Sequence, residues 1–173
     1  MGLSIAISGG IVIFTMMYVM MTFPNIIDTS TNVTHAYSDM LEHEDSILRT
    51  DIRVSSLTAD GVEDFNFLLS NNGTSKLLQY DKFDIIVTYD ADIAGIKTRL
   101  TENLTYALNC PTNQSHWCVN SFTNDLEDPM ILNTNEFMTI NGRLQNSIFT
   151  NGLLIVSIST DNGVVTSKSM VVP

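Results

Sequence analysis

The chain has 173 residues, a formal net charge of −11 and only 8 lysine and arginine residues. So few basic residues cannot form the basic patch that nucleic acids or anionic lipid headgroups need, so we expect no nucleic acid partner. The length allows one membrane anchor and one further domain of about 120 residues, which is large enough to bury its own core.

The first 23 residues carry no charged side chain, and the stretch from Leu3 to Phe23 is mainly apolar. As a helix, these roughly 21 residues would be about 31 Å long, close to the hydrocarbon thickness of a bilayer. A secretory signal peptide would begin with basic residues, whereas the first one here is Arg49. A buried core helix is disfavoured because the segment is apolar on every side. We therefore predict a transmembrane helix over residues 1–24, with Pro24 kinking or ending it.

The remainder of the chain has features of an extracellular domain. It is acidic, contains two cysteines, and carries four Asn-x-Ser/Thr sequons. The asparagines of these possible N-glycosylation sites are Asn32, Asn72, Asn103 and Asn113. A chain rich in asparagine, serine and threonine contains some sequons by chance, so they permit glycosylation without showing it.

Cys110 and Cys118 are the only two cysteines in the chain. In an exported domain they are expected to form a disulfide that closes a short loop. A zinc site that includes His116 is the alternative, but the C-x5-H-x-C spacing offers three ligands at most. We therefore predict a disulfide and no metal at this position.

Residues 25–50 are predicted to form a second helix, or a continuation of the first beyond a kink. Apolar residues recur here at seven-residue spacing, which is typical of an amphipathic helix with one apolar stripe. This stripe is expected to pack on a neighbouring copy, giving a homo-oligomer, or on the globular domain. The residues of this predicted helix assembly face are Ile26, Val33, Tyr37, Met40 and Ile47.

From Asp51 onward the hydrophobic pattern alternates with a period of two, which indicates β-strands. Turn signals separate the strand-like runs, as in Asn71–Thr74 and Asp161–Gly163. The loop Cys110–Cys118 and the segment Asp125–Pro129 look irregular. About seven short strands predict a β-sandwich over residues 51–173, so the fold class is α+β with an N-terminal helix.

The sequence offers little catalytic chemistry. It has three histidines, none in a recognised context, and it contains no nucleophile or phosphate-binding motif. Acidic groups at Asp60/Glu63/Asp64 and Asp90/Asp92 could hold a weakly bound Ca²⁺, but acidic residues are common beside turns. We therefore expect a structural or binding module with no cofactor, and an anchored metal-dependent hydrolase is the alternative.

Three segments together resemble one family. Met1-Gly2-Leu3-Ser4 leads directly into the uncharged span, and Leu69–Leu77 followed by Phe83–Val87 is similar to a strand–N-x-G-x-x-x-L–strand pattern. Gly152–Val172 is similar to the C-terminal hairpin of the same family. These segments resemble the archaeal flagellin superfamily and, more closely, the archaellum accessory proteins FlaF and FlaG.

The resemblance implies an immunoglobulin-like β-sandwich outside the membrane, at the base of the archaellum. FlaF and FlaG act as stator parts, so the implied partners are archaellum motor and filament proteins and the S-layer protein. A filament-forming archaellin or type IV-like pilin subunit is the alternative. Archaellins carry a basic leader before the apolar helix, and the start at Met1-Gly2 therefore favours the accessory protein.

Overall fold

The computed structural model describes residues 2–59, 62–110, 113–125 and 127–173, without the side chains of residues 2–6 and 23–30. The chain divides into two compact units, Met1–Glu44 and Asp45–Pro173. The first unit is helical, and the second contains the last turn of that helix and all the strands.

One helix, α1, extends over the 48 residues Gly2–Arg49. It does not end at Pro24, because a proline in a long helix removes one backbone donor while the turns on either side keep their own hydrogen bonds. Leu3 and Phe23, the ends of the predicted span, are helical, but their side chains lie outside the described part. Among the described residues, no helix offers an apolar stretch of the length needed to cross a membrane.

Eight strands follow the helix, and a short 3-10 helix at Tyr80–Lys82 precedes the third. The strands are β1 (Ile52–Ala59), β2 (Asp64–Asn71), β3 (Asp84–Ile93), β4 (Ile96–Tyr106), β5 (His116–Thr123), β6 (Phe137–Arg143), β7 (Leu153–Ser159) and β8 (Val165–Val171).

The strands form a mixed sheet in the order β1-β2-β6-β5-β4-β3-β7-β8. Every pairing is antiparallel except that of β4 with β5, where only Thr105 and Tyr106 pair with His116 and Trp117. Residues of the first and last strands of this order, β1 and β8, come within 8 Å between Cα atoms, so the sheet curls around one core. The predicted α+β class with a β-sandwich agrees with this architecture, and the immunoglobulin-like arrangement stays a prediction.

Alternating side chains of the strands fill the core that the curled sheet encloses. In β7, for example, Leu154, Val156 and Ile158 are fully buried, while the residues between them are half-buried. This is the period-two pattern that the sequence showed. The largest fully buried side chains are Trp117, Tyr89, Phe65, Phe67, Leu69, Ile85, Leu132, Met138, Ile140, Leu144, Leu154 and Ile158.

Strand β5 was not predicted, since its sequence lacks clear alternation. The adjacent residues Trp117 and Cys118 are both buried. A register shift between Val119 and Ser121 then inverts the pattern along the rest of the strand. A strand with a β-bulge of this kind cannot be predicted from strict alternation of apolar and polar residues.

Cys110 and Cys118 are joined by a disulfide, with their Cα atoms 5.8 Å apart. The bond closes the connection between β4 and its parallel neighbour β5. The Thr105 N–H donates to the Ser115 carbonyl at 2.9 Å, and the Ala107 N–H donates to the Trp117 carbonyl at 2.7 Å. Parallel neighbours usually need a longer connection, so the disulfide stabilises an unusually short one.

We expect the double variant Cys110→Ser/Cys118→Ser to lose about 2.5 kcal/mol of unfolding free energy, because the open loop gains conformational entropy in the unfolded chain. Chemical denaturation of parent and variant measures the difference. The parent in a reducing agent is the matched control, and it should show the same loss. A loss below about 0.5 kcal/mol would contradict the stabilising role of the disulfide.

Candidate functional site

The described side chains of α1 before Pro24 are exposed except that of Thr22, which is half-buried. From Ile7 to Met21 every residue is exposed, including Phe14 at 74% and Met21 at 80% of its maximal area. Fifteen consecutive exposed residues without a charge are unusual for a helix in water, because so large an apolar surface favours a partner or lipid.

The predicted assembly face continues along the second half of the helix. Val33, Tyr37, Met40 and Ile47 are exposed, whereas the side chain of Ile26 lies outside the described part. At about 100° per residue, the four described side chains fall within an arc of about 80° on the helix surface. They therefore share one side of the helix, as the seven-residue spacing indicated.

The C-terminal end of α1 is held by the loop Asn71–Ser75, which follows β2. The Arg49 carbonyl accepts hydrogen bonds from the Thr74 N–H at 2.8 Å and the Ser75 N–H at 3.1 Å. The Asp51 carbonyl accepts from the Asn72 and Gly73 N–H groups. The last carbonyls of a helix have no partner within the helix, so this loop acts as its C-cap from a distant part of the chain.

Asn71 gives this loop its shape. Its side chain is fully buried, and its Nδ2 donates to the Ser75 carbonyl at 2.7 Å and the Leu132 carbonyl at 3.0 Å. Its Oδ1 accepts from the Gly73 N–H at 3.0 Å. Gly73 lies so close to Arg49 that a Cβ atom would collide with the Arg49 carbonyl oxygen. Gly73 is therefore required by contact with the helix end, and Asn71 by the shape of the loop.

Asn162, in the turn between β7 and β8, holds the same helix end from a second direction. Its Nδ2 lies 3.2 Å from the Ser46 carbonyl, 3.0 Å from Ser46 Oγ and 2.8 Å from Thr50 Oγ1. We call Asn71–Ser75 together with Asn162 the helix clamp. Two loops that are far apart in sequence thus fix the last turn of α1 on the sandwich.

In each of the two acidic groups considered for Ca²⁺, one carboxylate is bound by basic side chains. Asp90 is buried, and it accepts from Arg99 Nε at 2.9 Å and lies 3.1 Å from Lys97 Nζ. Asp64 accepts from Arg143 Nε at 2.6 Å and from Arg143 Nη2 at 2.8 Å. Asp60 lies outside the described residues. Within the part of the chain that the structure describes, no cluster of three or more His, Cys, Asp or Glu residues is arranged to hold a metal ion.

The hydrogen bond from Arg99, together with that from the Leu153 N–H, lowers the pKa of Asp90 below its usual range. A carboxyl with a lowered pKa stabilises the fold fully above the unfolded value of about 3.9, and this contribution disappears as the pH falls through the folded pKa. We expect Asp90→Asn to melt several degrees below the parent at pH 7, and its stability should fall less steeply below pH 4. Thermal melting at pH 7 and pH 3 measures both effects. Asp84→Asn, an exposed position on the same strand, should leave both unchanged.

The asparagines of all four sequons are exposed. Asn32 lies on α1, Asn72 in the loop of the helix clamp, Asn103 on β4, and Asn113 in the loop closed by the disulfide. One sequon therefore lies in the first compact unit, and the other three lie in the second.

The contacts of the helix clamp were not predicted from the sequence. The Leu69–Leu77 pattern includes Asn71 and Gly73 through the family resemblance, but it does not show that this loop contacts the end of α1. Asn162 was seen only as a turn residue, because its partners Ser46 and Thr50 are 116 and 112 residues away. The one local signal was an Asn-Gly pair next to a buried strand, which also occurs in ordinary hairpins.

No protein-family model matches the chain, and no curated protein sequence matches it. Solved structures of similar fold do match. The archaellum periplasmic stator complex FlaF and FlaG from Sulfolobus acidocaldarius superposes with a TM-score of 0.50 and 15% identity, covering 69% of this chain and 87% of that one.

Two archaeal flagellins are also similar. Flagellin FlaB1 from Methanocaldococcus jannaschii gives a TM-score of 0.52 at 10% identity and covers 72% of this chain and 90% of that one. The archaeal flagellum of Methanospirillum hungatei gives 0.54 at 12% identity and covers 96% and 92%. The family resemblance that the sequence predicted is thus confirmed in the fold, which this chain shares with archaellum stator proteins and archaeal flagellins.

Proposed function

We propose that this chain is a non-enzymatic, membrane-anchored accessory subunit of the archaellum, of the stator type. The observation that supports this role best is the combination of a helix whose first half is uncharged and exposed from Ile7 to Met21 with a sandwich that holds the last turn of that helix. An enzyme needs an active site. A membrane anchor needs an apolar surface that prefers lipid, and the folded domain must be firmly attached to that anchor.

In this role the first half of α1 lies in the membrane and the sandwich lies outside it, at the base of the archaellum. The stripe that contains Val33, Tyr37 and Met40 binds neighbouring copies or motor proteins, and the sandwich binds the S-layer protein. Only Thr50 and Asp51 separate α1 from β1, so a force on the sandwich reaches the helix end through the clamp and not through a flexible linker.

Fractionation of native cells tests the proposal. We expect the full chain in the membrane pellet after alkaline washing, and we expect its sandwich to be digested when protease is added outside intact cells. Affinity capture of the full chain in detergent should recover the S-layer protein or motor proteins, and deletion should leave filaments present but cells poorly motile. A chain that stays in the aqueous fraction and captures none of these partners would contradict the role.

A filament subunit is the second candidate, and one observation favours it. The likeness to the Methanospirillum hungatei flagellum covers 96% of this chain, which includes most of α1. In a filament, the apolar half of α1 would pack on the same segment of other copies and not on lipid. Mass spectrometry of sheared, purified filaments distinguishes the two roles, because a filament subunit would be the major protein there and an accessory subunit would remain with the cells.

A further inference from the structure

Strand β4 has a free outer edge. On one side it pairs with β3 from Ile96 to Leu104. On the other side only Thr105 and Tyr106 meet β5. Across the described ranges of the chain, no strand therefore pairs with the outer edge of Lys97–Asn103. Unpaired N–H and C=O groups along a strand are a template for another strand.

The turn before β4 shows which backbone groups point outward. Ala94 and Gly95 have φ values of 54° and 81°, as in a two-residue hairpin turn whose flanking pair, here Ile93 and Ile96, is hydrogen-bonded. Since hydrogen-bonded pairs alternate along an antiparallel ladder, the even-numbered residues of β4 bond to β3. The outward residues are Lys97, Arg99, Thr101 and Asn103. Thr105 and Ala107, next in this series, donate outward to the β5 side.

The other outer strands are less suited to pairing. Strands β1 and β5 each contain a register shift, between Val54 and Ser56 and between Val119 and Ser121. Strand β8 is short and lies beside β1. Strand β4 has 11 residues and keeps a continuous register with β3. Bulges and short edges prevent pairing in most proteins, and β4 alone of these four strands is both long and regular.

Charged side chains also discourage edge pairing, but the positive charges of β4 are offset by carboxylates nearby. Lys97 and Arg99 both bind Asp90, which is buried at their base. The two cations that would normally protect this edge are thus drawn onto the partner carboxylate. Asp90 offsets one of these two positive charges, and Glu102, the only acidic residue of β4, offsets the other, so the strand and its partner carboxylate carry no net charge.

We propose that the β4 edge is a dimerisation site at which a second copy of this chain adds its own β4 in antiparallel register. A two-fold axis through Leu100 is the register in which all four outward residues find partners. It places Lys97 opposite Asn103 and Arg99 opposite Thr101, so no two like charges are directly opposed. Leu100, half-buried in the monomer, meets its symmetry mate in a non-hydrogen-bonded pair, and the interface has the self-complementarity of a two-fold dimer.

A cysteine at the two-fold axis tests this register. Opposed Cα atoms in a non-hydrogen-bonded pair are about 4.5 Å apart, within the range that a disulfide needs. Leu100→Cys in the full chain, in detergent micelles under mild oxidation, should convert most of the protein to a covalent dimer. Ser167→Cys, an exposed position on β8, is the matched control for random collision and should stay at a background level at least about tenfold lower.

A proline at an outward N–H then separates edge pairing from other self-association, such as that of α1. Thr101→Pro in the Leu100→Cys background removes a donor that β3 does not use, so the fold should survive while the cross-link is lost. Thr101→Ala keeps the donor and should cross-link like the parent. If Thr101→Pro does not fold, Asn103→Pro applies the same test near the other end of the edge.

The proposal would be overturned if Leu100→Cys cross-links no more than Ser167→Cys, or if a folded proline variant still cross-links fully. Membrane anchorage and archaellum partners are not needed for either result, so the test is independent of the proposed function. The bacterially expressed chain is preferred, because a glycan on Asn103 would lie in the proposed interface.

Discussion

We expect Asn71→Asp to lower the unfolding free energy of the sandwich by at least about 3 kcal/mol. The variant keeps the shape of the side chain and the acceptor for the Gly73 N–H. It replaces the buried Nδ2, which donates to the Ser75 and Leu132 carbonyls, with a carboxylate oxygen. Two carbonyl groups then lose their donor and face a negative charge, so the loop that caps α1 should be disrupted.

The neighbouring variant Asn72→Asp is the matched control, because it makes the same change in charge at an exposed side chain. It should change stability by no more than about 0.5 kcal/mol. Burial raises the pKa of a carboxyl, so Asn71→Asp should regain part of its stability as the pH falls from 7 to 5, whereas Asn72→Asp should not. Equal effects of the two variants in chemical denaturation at pH 7 would show that Asn71 does not organise the loop.

Gly73→Ala is expected to have the second largest effect, a loss of about 2 to 3 kcal/mol. A Cβ atom at this position collides with backbone atoms of Arg49 and Asp51, and backbone cannot move aside as easily as the end of a long side chain. The loop must therefore withdraw from the helix end and give up the hydrogen bonds to Arg49. We expect increased amide hydrogen exchange at Thr74 and Ser75, whose N–H groups make these bonds.

Asn72→Ala serves as the control for Gly73→Ala, since it changes an exposed side chain of the same loop and leaves the backbone contact intact. Its exchange rates and its stability should match those of the parent. Wild-type protection at Thr74 and Ser75 in a folded Gly73→Ala variant would mean that the loop tolerates the extra carbon without moving.

The sequence predicted the elements whose signal is local. The strands β3 and β7 show continuous β-branched and apolar runs, and the uncharged start of the chain indicated a helix. Pro24 was expected to kink or end that helix, but the helix continues to Arg49. The low helix propensity of one proline is outweighed by the hydrogen bonds of the turns on either side. Strand β5 was missed because Trp117 and Cys118 are buried side by side, which breaks the alternation that a sequence can show.

The helix clamp could not be predicted from local patterns. Its function depends on the contacts of Gly73 and Asn162 with one helix end and on Asn71, which shapes the loop. Each of these residues is also an ordinary turn former. The polar partners of Asp90 likewise depend on the register of β3 with β4, which places Asp90 opposite Arg99. Such sites arise from pairing between segments, and one sequence alone does not contain that information.

Trp117, the only tryptophan of the chain, is fully buried in β5 and packs on the ring of Tyr106 at 4.8 Å between centroids. The tryptophan emission of this protein therefore comes from a single indole that is shielded from water, and it should be blue-shifted in the native state. Because no other indole contributes, a red shift of this emission during denaturation reports that Trp117 has become exposed to water as β4 and β5 separate. This holds even in samples whose helix remains in detergent.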